Sequence, residues 1–419
     1  MKRNLWIGIV FVGLLAALGA GSSMLQKRAA VQAASVQAPM FEVDPLWPKP
    51  LPNHWLMGQT IGVSADAQDH IWIIHRAGSL EAGERHATTT PQIAMCCGPA
   101  PPVLEFDQDG NLLHHWGGPG DGYDWPDSNH GITIDYKGNV WIGGNGRGQP
   151  AGGRPATPGA LDESAASATQ SYADNMVLKF TQDGKFLMQI GKPRSSKGSN
   201  DVENLRLPAK IFVDKQENEA YVADGYGNHR VIVFDADTGK YKRHWGAYGH
   251  KPDDADIGKY DPDAPPAQQF RNPVHCAELS VDRLLYVCDR VNDRIQVFKP
   301  DGTFIKESFI AKRTLGSGSA WDIAFSKDPK QTYIYLTDGE NDRVHILLRD
   351  TLEVLTTFGE GGRQPGEFYG PHSIATDSKG NIYVAETYRG QRVQKFVYKG
   401  LGPVTKEDQG VLWPKSMKK

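Results

Sequence analysis

A repeat constrains this chain more than any other feature. Asn272–Phe298, NPVHCAELSVDRLLYVCDRVNDRIQVF, reads as a histidine, two short apolar runs (Cys276–Val281, Leu284–Cys288) joined at Asp282-Arg283, then Asp289, Asn292 and Arg294 before a third run, Ile295–Phe298. Short apolar runs bounded by polar turns are strands of a meander. The pattern recurs as QTIGVSADAQDHIWIIHR from Gln59, NHGITIDYKGNVWIGG from Asn129, PAKIFVDKQENEAYVADGYGNHRVIVF from Pro208, SAWDIAFSKDPKQTYIYLTDGENDRVHIL from Ser319 and PHSIATDSKGNIYVAETYRGQRVQKF from Pro371. Most units continue through a turn into a fourth strand that ends at Gly117, Gly191, Gly246 or Gly359. Six units of four strands, each too small to bury its faces alone, predict an all-β, six-bladed β-propeller. A β-sandwich does not need a period.

Composition agrees with one large β-domain, since 39% of the 419 residues are hydrophobic and 46 are glycine. The formal net charge of −3 leaves no basic excess to neutralise phosphates, which argues against a nucleic-acid binder. The basic run Lys415–Lys419 reads as a solvated tail.

In chain order, Lys2 and Arg3 precede an apolar run from Leu5 to Ala20, and small-residue sites follow at Val31-Gln32-Ala33 and Val36-Gln37-Ala38. This is the pattern of an export signal, and the run is short for a membrane span. Lys27 and Arg28, between the run and the cleavage-like sites, keep an uncleaved anchor open as the alternative. Either form places the propeller outside the cytoplasm, periplasmic or secreted, with membrane contact only through that segment. The expected organisation is 1–38 signal peptide or anchor, 39–57 extended segment, 58–400 propeller and 401–419 C-terminal tail. The proline-rich stretch Phe41–Trp55 is expected to supply a strand that ties the N-terminus into the last blade.

Export makes the four cysteines disulfide candidates. Cys276 and Cys288 lie roughly opposite each other about the Asp282-Arg283 turn, within reach of a cross-strand bond. For Cys96-Cys97 a vicinal bond, a metal contact and free thiols all stay open. Three long insertions, Ala77–Pro102, Arg147–Ala173 and Ala247–Phe270, interrupt the blades and are expected over one mouth of the ring. The third is acidic, but its spacing fits no calcium loop, and a solvated loop is the better reading.

The chemistry rests on register. His130 precedes Gly144, His275 precedes Asp289 and His372 precedes Glu386, each by 14 residues. Each histidine therefore starts its blade's innermost strand, in blades two, four and six, while the same place in the others holds Ile61, Ala209 and Trp321. Alternate blades set these imidazoles about 120° apart around the channel. Three neutral imidazoles with a fourth position open are the ligand set of a catalytic zinc.

Several segments, HGITIDYKGNVWI, DGYGNHRVIVF, VHCAELSVDRLLYVCDRVNDRIQVFK, GPHSIATDSKGNIYVAE and GQTIGVSADAQDHIWIIHRAG, resemble peptidyl-α-hydroxyglycine α-amidating lyase, an NHL-type six-bladed propeller, from about Gly58 to Phe396. The resemblance implies cleavage of the N–Cα bond of a C-terminal α-hydroxyglycine, giving a peptide amide and glyoxylate, at a zinc held by residues matching His130, His275 and His372. It implies active-site roles for Tyr226, in the Asp-Gly-Tyr segment, for Arg76, in IIHR, and for Arg290, in CDRVNDR. It also implies a separate monooxygenase partner, since no copper monooxygenase domain is present to make the hydroxyglycine. Departures are specific. Ser373 stands where the family has an acidic residue that helps build a calcium site, which puts calcium in doubt; Gly370 replaces a methionine and Gly227 a cysteine.

The expected function is that of an exported zinc-dependent carbon–nitrogen lyase acting on an α-hydroxylated peptide or amide. The alternative is a non-catalytic NHL propeller that binds a protein or glycan through its loop-built mouth. A calcium-dependent lactonase-like propeller would need acidic and amide side chains on the axis, where these units offer histidine.

Overall fold

The computed structural model describes residues 36–148 and 173–404. The expected export segment, most of the second insertion and the chain beyond 404 lie outside the described residues.

Six antiparallel sheets of four strands surround one axis. From the axis outward, blade one is Gln59–Ala65, Ile71–Arg76, Val103–Phe106 and Leu112–Trp116. Blade two is Asn129–Ile134, Val140–Gly144, Met176–Phe180 and Phe186–Gly191, and blade three is Lys210–Asp214, Glu219–Asp224, Arg230–Asp235 and Tyr241–Trp245. Blade four is Val274–Leu279, Leu285–Asp289, Arg294–Phe298 and Phe304–Phe309, and blade five is Asp322–Phe325, Tyr333–Asp338, Arg343–Leu348 and Glu353–Phe358. Second strands such as Ile71–Arg76, Val140–Gly144 and Leu285–Asp289 are buried along their whole length. This is why they read as continuous apolar runs, whereas an outer strand such as Leu112–Trp116 is largely exposed and mixes leucine with histidine.

Blade six closes the ring. Its inner strands, Pro371–Thr376, Ile382–Glu386 and Arg392–Pro403, come from the C-terminal end, and its outermost strand is Gln37–Asp44. The closing strand therefore lies earlier than the expected Phe41–Trp55. Pro45, Pro48, Pro50 and Pro52 have no N–H to donate to a ladder, so pairing stops at Asp44. Trp47 instead packs its indole between Phe106 and Tyr383. Gln37 and Ala38 are paired with Pro403 and Gly402, so the strand reaches into the segment assigned to the signal and beyond the expected propeller end at 400.

Six apolar clusters fill the seams between neighbouring blades, one to a seam. The repeated Asp, Asn and Arg of the sequence clamp the blades at the end where the second strands finish. In blade three the Asp224 carboxylate accepts from Arg230 Nε at 2.8 Å and from Asn228 at 2.7 Å; in blade four Asp289 accepts from Arg294 Nε at 2.7 Å and from Asn292 at 2.8 Å. These guanidinium–carboxylate pairs are fully buried. Cys276 and Cys288 face each other in the ladder and form a disulfide, and Cys96 pairs with Cys97.

Candidate metal centre

Each predicted histidine stands one residue into its blade's inner strand. In all three strands the pairing slips there, between His130 and Ile132, Val274 and Cys276, and Pro371 and Ser373. A bulge of this kind re-aims a side chain out of the regular alternation. Gly131 makes the first of these possible, because its φ is +69° and a Cβ there would lie 2.4 Å from the Ala209 carbonyl oxygen.

The imidazoles meet on the axis. Their ring centroids are 4.8 to 5.1 Å apart, one ligand nitrogen of each lies within 4.8 Å of the other two, and none of the residues is more than 2% exposed. His130 Nδ1 donates to the Ala209 carbonyl at 2.9 Å, and His275 Nδ1 to the Trp321 carbonyl at 2.6 Å. These carbonyls belong to the register positions of blades three and five, so blades without a histidine orient those that carry one. An N–H committed to a carbonyl fixes the tautomer and leaves Nε2 as the inward lone pair. Burial, with Arg290 and the other two imidazoles close by, holds His275 well below the usual histidine range, so it is a neutral ligand at pH 7.

Tyr226 lies beside two of these imidazoles. Its hydroxyl is 3.0 Å from His130 Nε2 and 3.0 Å from His275 Nε2, and it accepts from Arg290 Nη1 at 3.0 Å. The residue before it has to be glycine, since a Cβ on Gly225 would meet the Val274 nitrogen at 2.0 Å. The Arg290 guanidinium lies 4.3 Å from the centre of the Trp321 ring and 5.4 Å from that of Tyr226. Cation–π contacts of this kind position an arginine without neutralising it.

Arg76 is placed differently. It is 1% exposed at the seam of blades one and two, donating to the Asn129 carbonyl at 3.3 Å, to Gln59 at 2.9 Å and to Asn145 at 2.9 Å. Its contact with Asn129 puts it one residue from His130, where it supports the histidine's strand.

Just beyond the register positions on the inner strands, a largely buried ion cluster had no counterpart among the sequence expectations. Lys210 Nζ lies 2.7 and 2.9 Å from the two Asp322 oxygens and 2.9 Å from Glu278, and Ser373 donates to Asp322 at 2.8 Å. Burial alone would lower Lys210, but the two carboxylates outweigh it and hold the ammonium above its ordinary range. Glu278 is pushed up to about 7, by burial against the pull of Lys210. This answers the calcium question. Where the resemblance implied an acidic cation site around Ser373, the chain carries its own cation, and those residues do not fit a divalent ion as well. The three-imidazole set does fit one, of the transition-metal class that prefers nitrogen donors. Sequence reading also passed over Trp321 as a mere register counterpart, although a tryptophan on the channel axis was the available signal for an aromatic shelf beneath a cation.

Comparison with known proteins agrees with this architecture. The NHL repeat family matches residues 368–396, within blade six. The rat (Rattus norvegicus) peptidylglycine alpha-amidating monooxygenase is 22% identical over 80% of this chain and 30% of its own, so the chain spans less than a third of that relative's length. Peptidyl-alpha-hydroxyglycine alpha-amidating lyase 1 of Drosophila melanogaster is 24% identical over 67% of this chain and 47% of its own, and mouse (Mus musculus) NHL repeat-containing protein 3 is 24% identical over 86% and 85%. Among solved structures, a protein of unknown function from Bacteroides thetaiotaomicron shares the fold at a TM-score of 0.51 and 13% identity, over 87% of this chain and 77% of that one. The chain is thus a six-bladed β-propeller that carries an NHL repeat in blade six and is distantly homologous to the peptidylglycine amidating enzymes.

Proposed function

We propose that the protein is an exported, zinc-dependent carbon–nitrogen lyase that splits an α-hydroxylated peptide or amide end into an amide and glyoxylate. The observation that carries this reading is the cluster of three imidazoles, His130, His275 and His372, with the Tyr226 hydroxyl 3.0 Å from two of them and bonded by Arg290. His130, His275 and His372 would hold the ion, which supplies Lewis-acid polarisation of an oxygen ligand.

The protein's own groups do the rest. The Arg290 hydrogen bond at 3.0 Å favours the phenolate form of Tyr226, and a phenolate so placed takes the proton of the substrate's hydroxyl. As the C–N bond breaks, its electron pair goes to nitrogen, the hydroxyl carbon becomes the aldehyde of glyoxylate, and the tyrosine returns the proton to the departing amide. A substrate carboxylate is then recognised by a guanidinium, and Arg290 is the better placed of the two arginines. Arg76 acts here as a positioning residue for the His130 strand. Burial of the cluster excludes bulk water, which keeps these polar contacts strong. The two disulfides are consistent with an oxidising compartment, and the hydroxylated substrate calls for a separate oxidising partner.

Purified protein should contain a zinc equivalent at the axial histidines that is lost in His275→Ala, whatever other metal the chain holds, and it should release glyoxylate from an α-hydroxyhippurate-type substrate. Full metal retention in the triple histidine variant ends the metal reading; metal without glyoxylate ends the substrate class alone.

A further inference from the structure

Blade one carries a second set of metal-ligating side chains on the opposite face of the ring. Its inner strand begins beside Arg76, at the histidine end, and finishes at Ala65, so Asp66 and His70 lie in the turn at the far end. Asp66, His70 and Glu105 each present a ligand atom within 4.8 Å of the other two. His70 Nδ1 is 2.7 Å from Glu105 Oε1 and 3.8 Å from Asp66 Oδ2, and His114 Nδ1 is 2.6 Å from Glu105 Oε2. The carboxylates are buried, at 2% and 4% side-chain exposure, while His70 at 34% and His114 at 67% open the cluster to solvent.

The repeat itself shows what is unusual here. In blade two the same positions hold Asp135, Asn139, Trp141 and, paired with Trp141 across the ladder, Lys179. In blade six they hold Asp377, Asn381, Tyr383 and, paired with Tyr383, Lys395. In both blades the amide and the aromatic N–H or O–H bond the aspartate, and the lysine ammonium lies 5.0 or 5.8 Å from the centre of the aromatic ring. Blade one keeps the aspartate and the aromatic residue, with Trp72 Nε1 donating to Asp66 at 3.0 Å. It replaces the asparagine with His70, and in the lysine's place, paired with Trp72, it puts Glu105. Opposite Glu105 on the outer strand it adds His114. An internal cation has thus been exchanged for a second carboxylate flanked by two imidazoles. A buried carboxylate pair without an internal cation is stable only with an external one or with protons.

We propose that Asp66, His70 and Glu105, with His114 on the second Glu105 oxygen, form a site for a divalent transition-metal ion of the zinc class, in the place where blades two and six hold a lysine. Mixed imidazole and carboxylate donors suit such an ion better than calcium or magnesium. A metal bound through Nδ1 replaces the N–H proton that each histidine directs at Glu105, and the imidazoles turn to the Nε2–H tautomer. The site is independent of the lyase reading and of the axial histidines.

The test is zinc binding by equilibrium dialysis, with metal content measured per chain, on chelator-treated full-length protein. Two variants are compared with the parent. His70→Asn with Glu105→Lys installs the arrangement that blades two and six already use, and Glu105→Gln preserves shape should the double variant fold poorly. The double variant is expected to bind one zinc fewer than the parent. Glu105→Gln is expected to weaken that site at least about tenfold, the lower end of what loss of a supporting group costs a metal site. In the His130→Ala, His275→Ala, His372→Ala variant one zinc should remain. Equal zinc content and affinity in the parent and both blade-one variants would overturn the proposal and leave a hydrogen-bonded His–Glu–His cluster.

Discussion

Removing a salt bridge should stabilise this protein. Glu278 lies 2.9 Å from Lys210, yet burial raises its pKa from 4.5 to about 7. Between those values the folded chain holds a proton on Glu278 that the unfolded chain has released. Stability therefore falls as pH rises from about 4.5 to about 7, and ionising the buried group costs about 3 kcal/mol in total. Lys210 does not interfere in this window, since its own raised pKa contributes stability that is lost only in the alkaline range. In Glu278→Gln the amide oxygen can still face the ammonium, and Asp322 retains both of its contacts with Lys210. The variant should match the parent near pH 4.5 and exceed it by up to about 3 kcal/mol at pH 8, since the raised value is already burial net of the pull of Lys210. Urea unfolding from pH 4.5 to 8, compared at equal m-values, measures the difference; taking it between the two proteins cancels other buried carboxylates such as Asp293, which is raised to about 8. A variant less stable at pH 8, or a difference that does not change with pH, would refute the reasoning and make the ion pair a net source of stability.

Three further predictions follow from the same contacts. Tyr226→Phe should leave zinc content unchanged while lowering kcat for glyoxylate release by about 10²- to 10⁴-fold, the usual worth of a general base; an unchanged kcat removes Tyr226 from the chemistry. Asp224→Asn strands the fully buried Arg230 and should cost on the order of 3–5 kcal/mol in chemical denaturation, whereas Asp237→Asn, at an exposed surface pair, should change stability by less than about 1 kcal/mol. If the N-terminal segment is cleaved, mass spectrometry of exported protein should find the new terminus at Ala34 rather than Pro39, because cleavage after Ala38 removes two paired residues of the closing strand.

The ring was legible because its evidence is periodic. Strand runs, the Asp-Asn-Arg clamp and the 14-residue spacing of His130, His275 and His372 repeat at fixed offsets, and periodicity survives low local certainty. What repetition does not encode was harder to see. The closing strand has no copy within its own blade's sequence, and only its prolines mark its end. Lys210, Asp322 and Glu278 come from three different blades, and no spacing within a unit reveals that they converge. Arg76 and Arg290 look alike as arginines at the end of a second strand, but Arg76 bonds amides and a carbonyl while Arg290 stacks on Trp321 and reaches Tyr226. That distinction depends on which blade each arginine faces.

The clasp formed by Gln37–Asp44 on Arg392–Pro403 joins the two ends of the described chain, with Gln37 opposite Pro403. Contacts of such long sequence separation form late, since the intervening loop has to be ordered first. During synthesis the first of the described strands waits for the last one, and an incomplete ring exposes two unpaired edges. A circular permutant that fuses these ends and opens at the Asp282-Arg283 turn, where Asp282 is exposed, would turn the clasp into a local hairpin. Such a chain should reach its closed ring faster than the natural order of blades allows.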